Sequence, residues 1–284
     1  MIRIFLTFFS LLTLCGCANS LFYHPDNRLY SSPSTPYETV SFKSADGTTL
    51  SGWFLPAIGV PSGTVIHYHG NAANISNHYG FVKWIPKAGF NLFMFDYRGY
   101  GDSKGSPSRN GLHQDAVAAL RYLASRKDVD KKKIVALGQS LGGATAVDAV
   151  LSVPEVAVCG VVIDSAFYSY RTIVKDKIAL IPLLGWAQSP LSFIMATDGY
   201  SPGPRIDQIA PIPLLIIHGT HDNVVPFAHG KKLFEAAIHP KTFWRVEHGV
   251  HTSALIQPHP LFRNRLSQLF HRWVKQPPKS SPQA

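Results

Sequence analysis

Five apolar runs divide the middle of the chain, and most of them end at a turn that precedes a stretch with helical spacing. These runs read TVIHYHG, NLFMFDYRG, KIVALGQS, GVVIDSAF and PLLIIHG. Continuous apolar runs are typical of parallel strands that helices cover on both faces. We expect helices around residues 74–88, 111–126 and 141–152, followed by a last strand (TFWRVE) and a last helix near 258–274. This alternation predicts an α/β fold with a mostly parallel, doubly wound sheet.

An antiparallel hairpin is expected before the parallel strands. The segment ETVSFKSADGTTLSGWFLP contains two alternating stretches that flank Asp46-Gly47, and this dipeptide is a strong signal for a tight hairpin turn. With the hairpin, the predicted sheet has about eight strands. The 284 residues are 45% hydrophobic and 15% charged, which indicates a packed globular domain. We place this domain at residues 38–275.

Residues 166–205 interrupt the alternation of strands and helices. They are apolar and aromatic, contain several prolines and lie between two strands that a short crossover could connect. Insertions of this length usually form a cap or lid over a site, and an irregular helix packed on the sheet is the alternative. The apolar residues expected to cover a pocket are Ile178, Leu180, Ile181, Leu183, Leu184 and Trp186.

The N-terminal residues 1–16 have the pattern of a bacterial lipoprotein signal peptide. The apolar stretch Ile4–Leu14 is too short to span a bilayer as a helix, and the sequence LCGC that follows resembles a lipobox with Cys17 as the acylated residue. An ordinary cleaved signal and an uncleaved anchor are the alternatives. Residues 17–37 would then form a tether. We expect a lipid-anchored protein of the cell envelope, on the periplasmic side of the outer membrane in a Gram-negative cell.

The formal net charge of +10 raises the question of a nucleic-acid partner. The 27 Lys and Arg residues are scattered, however, and their densest run is Lys131-Lys132-Lys133. No nucleic-acid-binding motif accompanies them, so we expect no such partner; a basic surface equally favours an anionic membrane. Cys159 is the only cysteine after the lipobox, so the mature chain is expected to have no intramolecular disulfide. The Pro- and Ser-rich residues 276–284 predict a disordered tail.

Polar residues follow the carboxyl ends of the predicted strands, where parallel sheets place their ligand sites. His69-Gly70-Asn71 follows the first run, GQSLG follows the third, His221-Asp222 follows the fifth, and EHGVHTS follows the last strand. The chain order is therefore Ser, Asp, His. This is the order of hydrolases that carry their nucleophile on a strand-to-helix turn.

The pentapeptide GQSLG suits a serine nucleophile, because its glycines leave room for a sharp turn that exposes the hydroxyl of Ser140. Near neutral pH this hydroxyl needs a histidine base, and the imidazole needs a carboxylate to orient it. The tetrahedral intermediate of acyl transfer also needs backbone N–H donors for its oxyanion. We expect the amide of Leu141 and the amide of Asn71 to be these donors.

The segments YHGNAAN, FDYRGYGDSKGSPS, GQSLGGATA and LLIIHGTHDNVVP, with a late histidine, resemble serine hydrolases of the α/β-hydrolase fold. They are most similar to the subgroup that contains depalmitoylase-like and serine-aminopeptidase-like hydrolases. The likeness covers roughly residues 38–275 and, residue by residue, implies Ser140 as the nucleophile, Asp222 as the acid and His251 as the base.

Two of these assignments have rivals in the sequence. Asp164 follows the preceding strand, a position that some similar proteins use for the acid, but Asp222 is favoured because HGTHD matches the usual loop. His248 competes with His251 as the base. In similar proteins this loop reads glutamate, three small residues and histidine, and Glu247–His251 has that spacing, so His251 is favoured.

The sequence therefore predicts a serine hydrolase that cleaves a carboxylic ester or thioester through an acyl-enzyme and uses no cofactor. No metal is expected either, because His67, His69, His218 and His221 show no metal-binding spacing such as HExxH. The expected partners are a small-molecule or acylated substrate and the membrane, and the chain is expected to be a monomer. A serine peptidase or aminopeptidase is the alternative reaction. A non-catalytic surface lipoprotein that uses this fold for binding is the alternative of another class.

Overall fold

A computed structural model describes residues 22–256 and 260–277. Its strands are β1 (His24–Pro25), β2 (Glu38–Lys43), β3 (Thr49–Leu55), β4 (Gly63–Tyr68), β5 (Ala72–Ala73), β6 (Phe90–Phe95), β7 (Ile134–Gln139), β8 (Val158–Asp164), β9 (Leu214–Gly219) and β10 (Lys241–Val246). Its α-helices are α1 (Ile75–Val82), α2 (Arg109–Ser125), α3 (Leu141–Ser152), α4 (Tyr170–Ala179), α5 (Gln188–Met195), α6 (Phe227–Ala236) and α7 (Pro260–Lys275). Short 3-10 helices lie at Pro86–Ala88, Gly185–Ala187, Gly203–Ile209 and Ser253–Leu255.

Eight of these strands form one sheet in the order β10-β9-β8-β7-β4-β6-β3-β2. Strand β3 pairs antiparallel with β2 and with β6, and the other neighbouring strands of this sheet are parallel. The antiparallel pair sets Glu38 opposite Phe54 and Lys43 opposite Thr49. The expectation of a mostly parallel sheet of about eight strands with an early antiparallel hairpin is confirmed.

The central strands are covered on both faces. Every residue of β4, β6, β7, β8 and β9 is buried. Successive side chains of a strand point to opposite faces, so Ile66 packs in the core beside α2 and α3, whereas Val65 packs in the core beside α1 and α7. Because both faces bury their side chains, these segments read as continuous apolar runs.

Two helix boundaries follow from local capping and from proline. Ser108 begins α2 earlier than expected, because its hydroxyl accepts a hydrogen bond from the third amide of the helix at 3.1 Å. The helix expected over residues 74–88 ends at Val82 instead, and the chain continues in a 3-10 turn that starts at Pro86. Pro86 has no N–H for the helical hydrogen-bond ladder. The helix predicted at 141–152 coincides with α3.

Residues 22–31 of the segment that we predicted as a tether are attached to the domain by strand pairing and hydrogen bonds, although most of their side chains are exposed; this part of the segment is therefore not a free tether. Tyr23 is buried in the main core, and β1 pairs with β5 in a small parallel sheet. The side-chain amide of Asn74 donates to the carbonyl oxygens of Asp26 (2.9 Å) and Arg28 (2.7 Å). These polar contacts satisfy backbone groups that a free tether would leave to water. Only residues 17–21 of the expected tether lie outside the described part.

The insertion at 166–205 forms two helices, α4 and α5, joined by a turn. Ser169 and Thr172 form a reciprocal capping box at the start of α4. Ile178 is buried, whereas the other five residues expected to cover a pocket are exposed. Together with three residues of α5 they make up a surface that we call the cap patch: Leu180, Ile181, Leu183, Leu184, Trp186, Phe193, Ile194 and Met195.

Several sequence predictions fall outside the described residues: the signal peptide at 1–16, the acylation of Cys17 and the tail beyond residue 277. Within residues 22–256 and 260–277, no helix combines the length and apolar character needed to cross a membrane. Cys159 is buried and unbridged, and its thiol donates to the carbonyl oxygen of Lys132 at 3.0 Å. Burial raises the pKa of this thiol to about 11, as expected for a packing residue rather than a reactive one.

Candidate active site

Ser140 lies on a strained turn between β7 and α3. Its backbone has φ 55° and ψ −117°, a region that residues other than glycine rarely occupy. The amide of Ser140 donates to the carbonyl oxygen of Asp164 on β8 at 2.8 Å, and its carbonyl accepts from the amide of Gly143 at 3.0 Å. Such strain persists only where surrounding contacts hold it, and it is common at functional sites.

The glycines on either side of Ser140 lie against backbone atoms. A Cβ atom at Gly142 would collide with the carbonyl oxygens of Tyr68 and His69, at the end of β4 and in the loop after it. A Cβ atom at Gly138 would collide with the carbonyl group of Gly142 itself. Backbone cannot rotate away as a flexible side chain can, so both positions need glycine.

We expect Gly142→Ala to lower the free energy of unfolding by about 3 kcal/mol or more, because its methyl group would push apart the backbones of α3 and β4. The matched control is Gly80→Ala on the exposed face of α1, where a Cβ atom meets nothing within 4 Å. That change should stabilise the protein by about 0.5–1 kcal/mol through helix propensity. Urea unfolding measures both. Equal stability of Gly142→Ala and wild type would contradict the close approach.

Asp222 and His251 form a hydrogen-bonded pair at the ends of β9 and β10. The imidazole Nδ1 of His251 lies 2.8 Å from Oδ2 of Asp222. The other carboxylate oxygen accepts from the amides of Val224 (2.9 Å) and Val225 (2.8 Å). Burial disfavours the charge, but the hydrogen bonds from His251 and these two amides hold the pKa of Asp222 below its usual range. The pair can therefore orient an imidazole through an ionised carboxylate.

Asp164 and His248, the alternative acid and base, have contacts other than those of the Asp222–His251 pair. Asp164 Oδ2 accepts from Gln139 and Oδ1 accepts from Ser165, both at 3.1 Å, and burial raises the pKa of its carboxyl to about 6. His248 is exposed, with its ring centroid 4.9 Å from that of His221. Among the described residues, the hydrogen-bond partner of the His251 ring is Asp222.

A buried hydrogen-bond chain joins the serine turn to the histidine loop, and the sequence did not reveal it. It begins at Gln139, which donates to Asp164, and continues through the Ser165 hydroxyl, which accepts from the amide of Thr252 at 3.0 Å. Thr252 directly follows His251 in the chain. Gln139 and Ser165 therefore couple the positions of Ser140 and His251. These partners meet because β7, β8, β9 and β10 lie side by side in the sheet, so their sequence spacing carries no signal.

The two predicted oxyanion donors lie on segments that approach each other closely, the start of α3 and the loop after β4. Leu141 is the first residue of α3, and Asn71 lies in the loop after β4, beside the carbonyl groups that Gly142 contacts. The Tyr100 hydroxyl donates to the carbonyl oxygen of Asn71 at 2.8 Å and lies 3.0 Å from its Oδ1. The Asn71 side-chain amide donates to the carbonyl of Phe22. The docked N-terminal segment thus helps to hold the loop that carries Asn71.

Three histidines are packed beneath this loop with neutral rings. Burial lowers the pKa of His67 to about 3 and that of His78 to about 4, and it holds the pKa of His69 well below its usual range. Burial acts in the opposite sense on Asp96, whose pKa rises to about 7. The Nε2 atom of His67 lies 3.1 Å from Gln139 Oε1, which links these histidines to the chain of hydrogen bonds below Ser140.

These buried groups predict a loss of stability in mild acid. Below about pH 6.5 the unfolded chain protonates its histidines, but the folded protein keeps His67, His69 and His78 neutral. The raised pKa values of Asp96 and Asp164 oppose this, since those carboxyls hold protons in the folded state. Burial also lowers the pKa values of His218 and His229, so unfolding takes up protons on balance, and stability falls by about 2 kcal/mol or more from pH 7 to pH 5.

Urea unfolding at the two pH values measures this difference. His67→Gln should reduce the pH dependence, because it removes one ring that cannot be protonated in the folded state. His24→Gln, at an exposed position, should leave it unchanged. Stability that is constant or rises between pH 7 and pH 5 would contradict the prediction.

The histidines that raised the question of a metal do not form a shared centre. His218 Nε2 lies 2.9 Å from the carbonyl oxygen of Val225, and His67 contacts Gln139. In the ranges that the structure describes, no group of three or more His, Cys, Asp and Glu side chains is arranged to hold a metal ion.

The sheet order, the serine turn after β7 and the Asp222–His251 pair together define an α/β-hydrolase. A family model described as "Serine aminopeptidase, S33" matches residues 59–197. The chain is 39% identical over 246 residues to YfhR, an uncharacterized protein of Escherichia coli, covering 85% of this chain and 83% of that protein. It is 35% identical over 242 residues to the α/β-hydrolase domain-containing protein WAV2 of Arabidopsis thaliana, covering 78% and 76% of the two chains. The chain belongs to the α/β-hydrolase family.

Solved structures show the same fold. The esterase Pf2001 of Pyrococcus furiosus superposes with a TM-score of 0.69 at 22% sequence identity, and the match covers 89% of this chain and 98% of the esterase. Acetyl xylan esterase 1 of a Thermoanaerobacterium species superposes with a TM-score of 0.66 at 16% identity and covers 93% of each chain. At these identities the likeness concerns the architecture.

Proposed function

We propose that this α/β-hydrolase is a serine hydrolase that cleaves carboxylic esters or thioesters through an acyl-enzyme. The observation that carries the proposal is the 2.8 Å hydrogen bond between Asp222 and His251, which follows the carboxyl ends of β9 and β10 at the same edge of the sheet as the strained Ser140 turn. Aspartate held as an anion fixes the imidazole tautomer, which leaves Nε2 free to act as a base. The two esterases of similar fold are consistent with ester chemistry.

In the proposed mechanism, His251 Nε2 removes the hydroxyl proton of Ser140 as its oxygen attacks the acyl carbon. The carbonyl π electrons move to oxygen, and the amides of Leu141 and Asn71 stabilise that oxyanion, each contributing about 3–4 kcal/mol. Collapse of the intermediate expels the alcohol or thiol, which takes the proton from His251. Water, deprotonated by the same imidazole, then hydrolyses the acyl-enzyme and restores Ser140. The charge on Asp222 stabilises the imidazolium in both halves.

A fluorophosphonate probe tests the nucleophile without knowledge of the natural substrate. We expect the wild-type protein to be labelled and Ser140→Ala to remain unlabelled. Ser125→Ala, which changes an exposed serine at the end of α2, serves as the control and should label as wild type does. Labelling of Ser140→Ala, or no labelling of wild type, would refute the assignment.

An aminopeptidase is the second candidate, and the match to the serine aminopeptidase model favours it. The same triad would attack an amide, but the site would also have to bind a free α-amino group. Turnover of aminoacyl p-nitroanilides in preference to p-nitrophenyl esters would select this candidate. Inactivity on esters, thioesters and aminoacyl amides would instead support the non-catalytic binding protein.

We also propose that the chain is anchored to the cell envelope by acylation of Cys17. The lipobox-like sequence LCGC supports this, since several acyl chains on one residue give stable anchoring. Replacement Cys17→Ser should move the protein from the membrane fraction to the soluble fraction. Unchanged fractionation would argue against acylation at this residue.

A further inference from the structure

The cap patch consists of eight exposed apolar side chains within residues 180–195. Leu183 is 90% exposed, Trp186 is 86% exposed and Ile194 is 80% exposed. Apolar side chains this exposed do not contribute to the packing of the two helices. Its members lie on α5 and on the turn between α4 and α5, and the two helices pack against each other. Exposed apolar surfaces of this extent mark binding sites rather than ordinary solvent-facing surface.

The basic side chains that precede the cap patch in the sequence are exposed, whereas the acidic residues on either side of it, Asp176 and Asp198, accept hydrogen bonds from His229 and from the amide of Arg171. No acidic residue occurs between Lys177 and Asp198 in the sequence. Lys175 and Lys177 are exposed on α4, which leads directly into the patch, and the amide of Leu180 donates to the carbonyl oxygen of Lys177 at 3.2 Å. The carboxylate of Asp176, which lies between these lysines, is bound to the ring of His229 at 2.7 Å. Exposed lysines near exposed apolar side chains favour a binding partner that has anionic groups at its surface and an apolar interior.

The patch offers few hydrogen-bonding groups. Among residues 180–196, the polar side chains besides the indole N–H of Trp186 are those of Gln188, Ser189 and Ser192, and Ser192 already donates to the carbonyl oxygen of Ser189 at 2.9 Å. A protein partner of ordinary size would require about one hydrogen bond per 100–200 Å² of interface. A lipid bilayer makes no such demand.

We propose that the cap patch docks on the surface of an anionic lipid bilayer. Leu183 and Trp186 enter the boundary between headgroups and acyl chains, where the indole ring is well accommodated. Lys175 and Lys177 contact the lipid phosphates, with their aliphatic stems along the apolar surface. The contact is separate from the N-terminal lipid and does not depend on the chemistry of Ser140.

Trp186 provides a direct probe of this contact. Trp53, Trp244 and Trp273 are each less than 10% exposed, Trp84 is half-buried, and residues 1–21 contain no tryptophan. Attachment through the N-terminus alone would therefore place no exposed indole in the bilayer. We propose to mix the full chain with vesicles of phosphatidylcholine and phosphatidylglycerol whose acyl chains carry bromine, which quenches tryptophan at close range.

The expected result is quenching of the wild-type fluorescence that is lost, for the most part, in Trp186→Phe. Leu183→Asp should also weaken the quenching while Trp186 remains. The matched control is Val60→Asp, at a residue that is 92% exposed in the loop before β4, and it should behave as wild type. Lys175→Glu and Lys177→Glu should each lower the affinity for these vesicles about fivefold, with little effect on pure phosphatidylcholine. Unchanged urea unfolding, followed by circular dichroism, shows that the variants are folded.

Three outcomes would overturn the proposal. The first is absence of quenching while the chain sediments with the vesicles, which would mean attachment through the N-terminus alone. The second is equal quenching of wild type and Trp186→Phe, which would place another face of the domain on the lipid. The third is a concentration-dependent shift of Trp186 emission without lipid that vesicles do not change, which would assign the patch to contact between two copies of the chain.

Discussion

Replacing Ser140 with alanine is expected to lower kcat for a p-nitrophenyl ester by about a million-fold, while KM changes little. In the proposed mechanism, the substitution removes the attacking oxygen and leaves the amides of Leu141 and Asn71 in place. Binding and oxyanion stabilisation alone then give only a residual rate above water. Steady-state kinetics of wild type, Ser140→Ala and the control Ser125→Ala measure the effect.

A double variant provides a stricter test, because losses of kcat in a proposed catalytic triad are not expected to multiply. His251→Ala alone should cost about as much as Ser140→Ala, and the double variant should be no worse than either, because the proposed mechanism makes the two residues act as a unit. Independent, multiplying effects of the two substitutions would mean that His251 acts elsewhere in the reaction. A loss below about tenfold in Ser140→Ala would remove the serine from the chemistry.

The second large effect is expected when Asp222, rather than Asp164, is replaced, since Asp222 is the proposed acid of the triad. Asp222→Asn should lower kcat by about 10⁴-fold, because an amide at this position stabilises the wrong tautomer of His251. Asp164→Asn should cost much less, since that carboxyl accepts from Gln139 and Ser165 rather than from His251. Its raised pKa of about 6 also makes a neutral replacement tolerable near that pH.

Rates measured from pH 5 to pH 9 distinguish a change of chemistry from a change of packing. Asp222→Asn should alter the shape of the pH profile, because the histidine base loses its anionic partner. Asp164→Asn should keep the wild-type shape even where its stability differs. A larger loss in Asp164→Asn than in Asp222→Asn would exchange the roles of the two residues.

The parallel strands were predictable because a strand that is buried on both faces consists of a continuous run of apolar residues. The turn at Ser140 was predictable for a similar reason, since its backbone can be accommodated only between Gly138 and Gly142. The roles of Asp222 and His251 came from resemblance to a family. Their separation in the chain gives no distance, and only the pairing of β9 with β10 brings the two side chains together.

What the sequence could not predict depends on contacts between distant segments. The polar, proline-containing residues 22–37 are typical of a tether, yet Asn71 and Asn74 bind their backbone. The chain through Gln139, Ser165 and Thr252 is assembled from three strand ends. Helix α6 escaped notice because its glycine and short length weaken the helical pattern.

The attachment of the N-terminal segment to the domain limits how far the domain can lie from Cys17. A free tether from Cys17 to residue 37 could extend about 70 Å, but the five peptide links from Cys17 to Phe22 extend only about 18 Å. With an acyl chain on Cys17, the domain would stay within about 18 Å of the membrane surface. It would then meet substrates embedded in that membrane or bound to it, and molecules free in the surrounding compartment would have to diffuse to it.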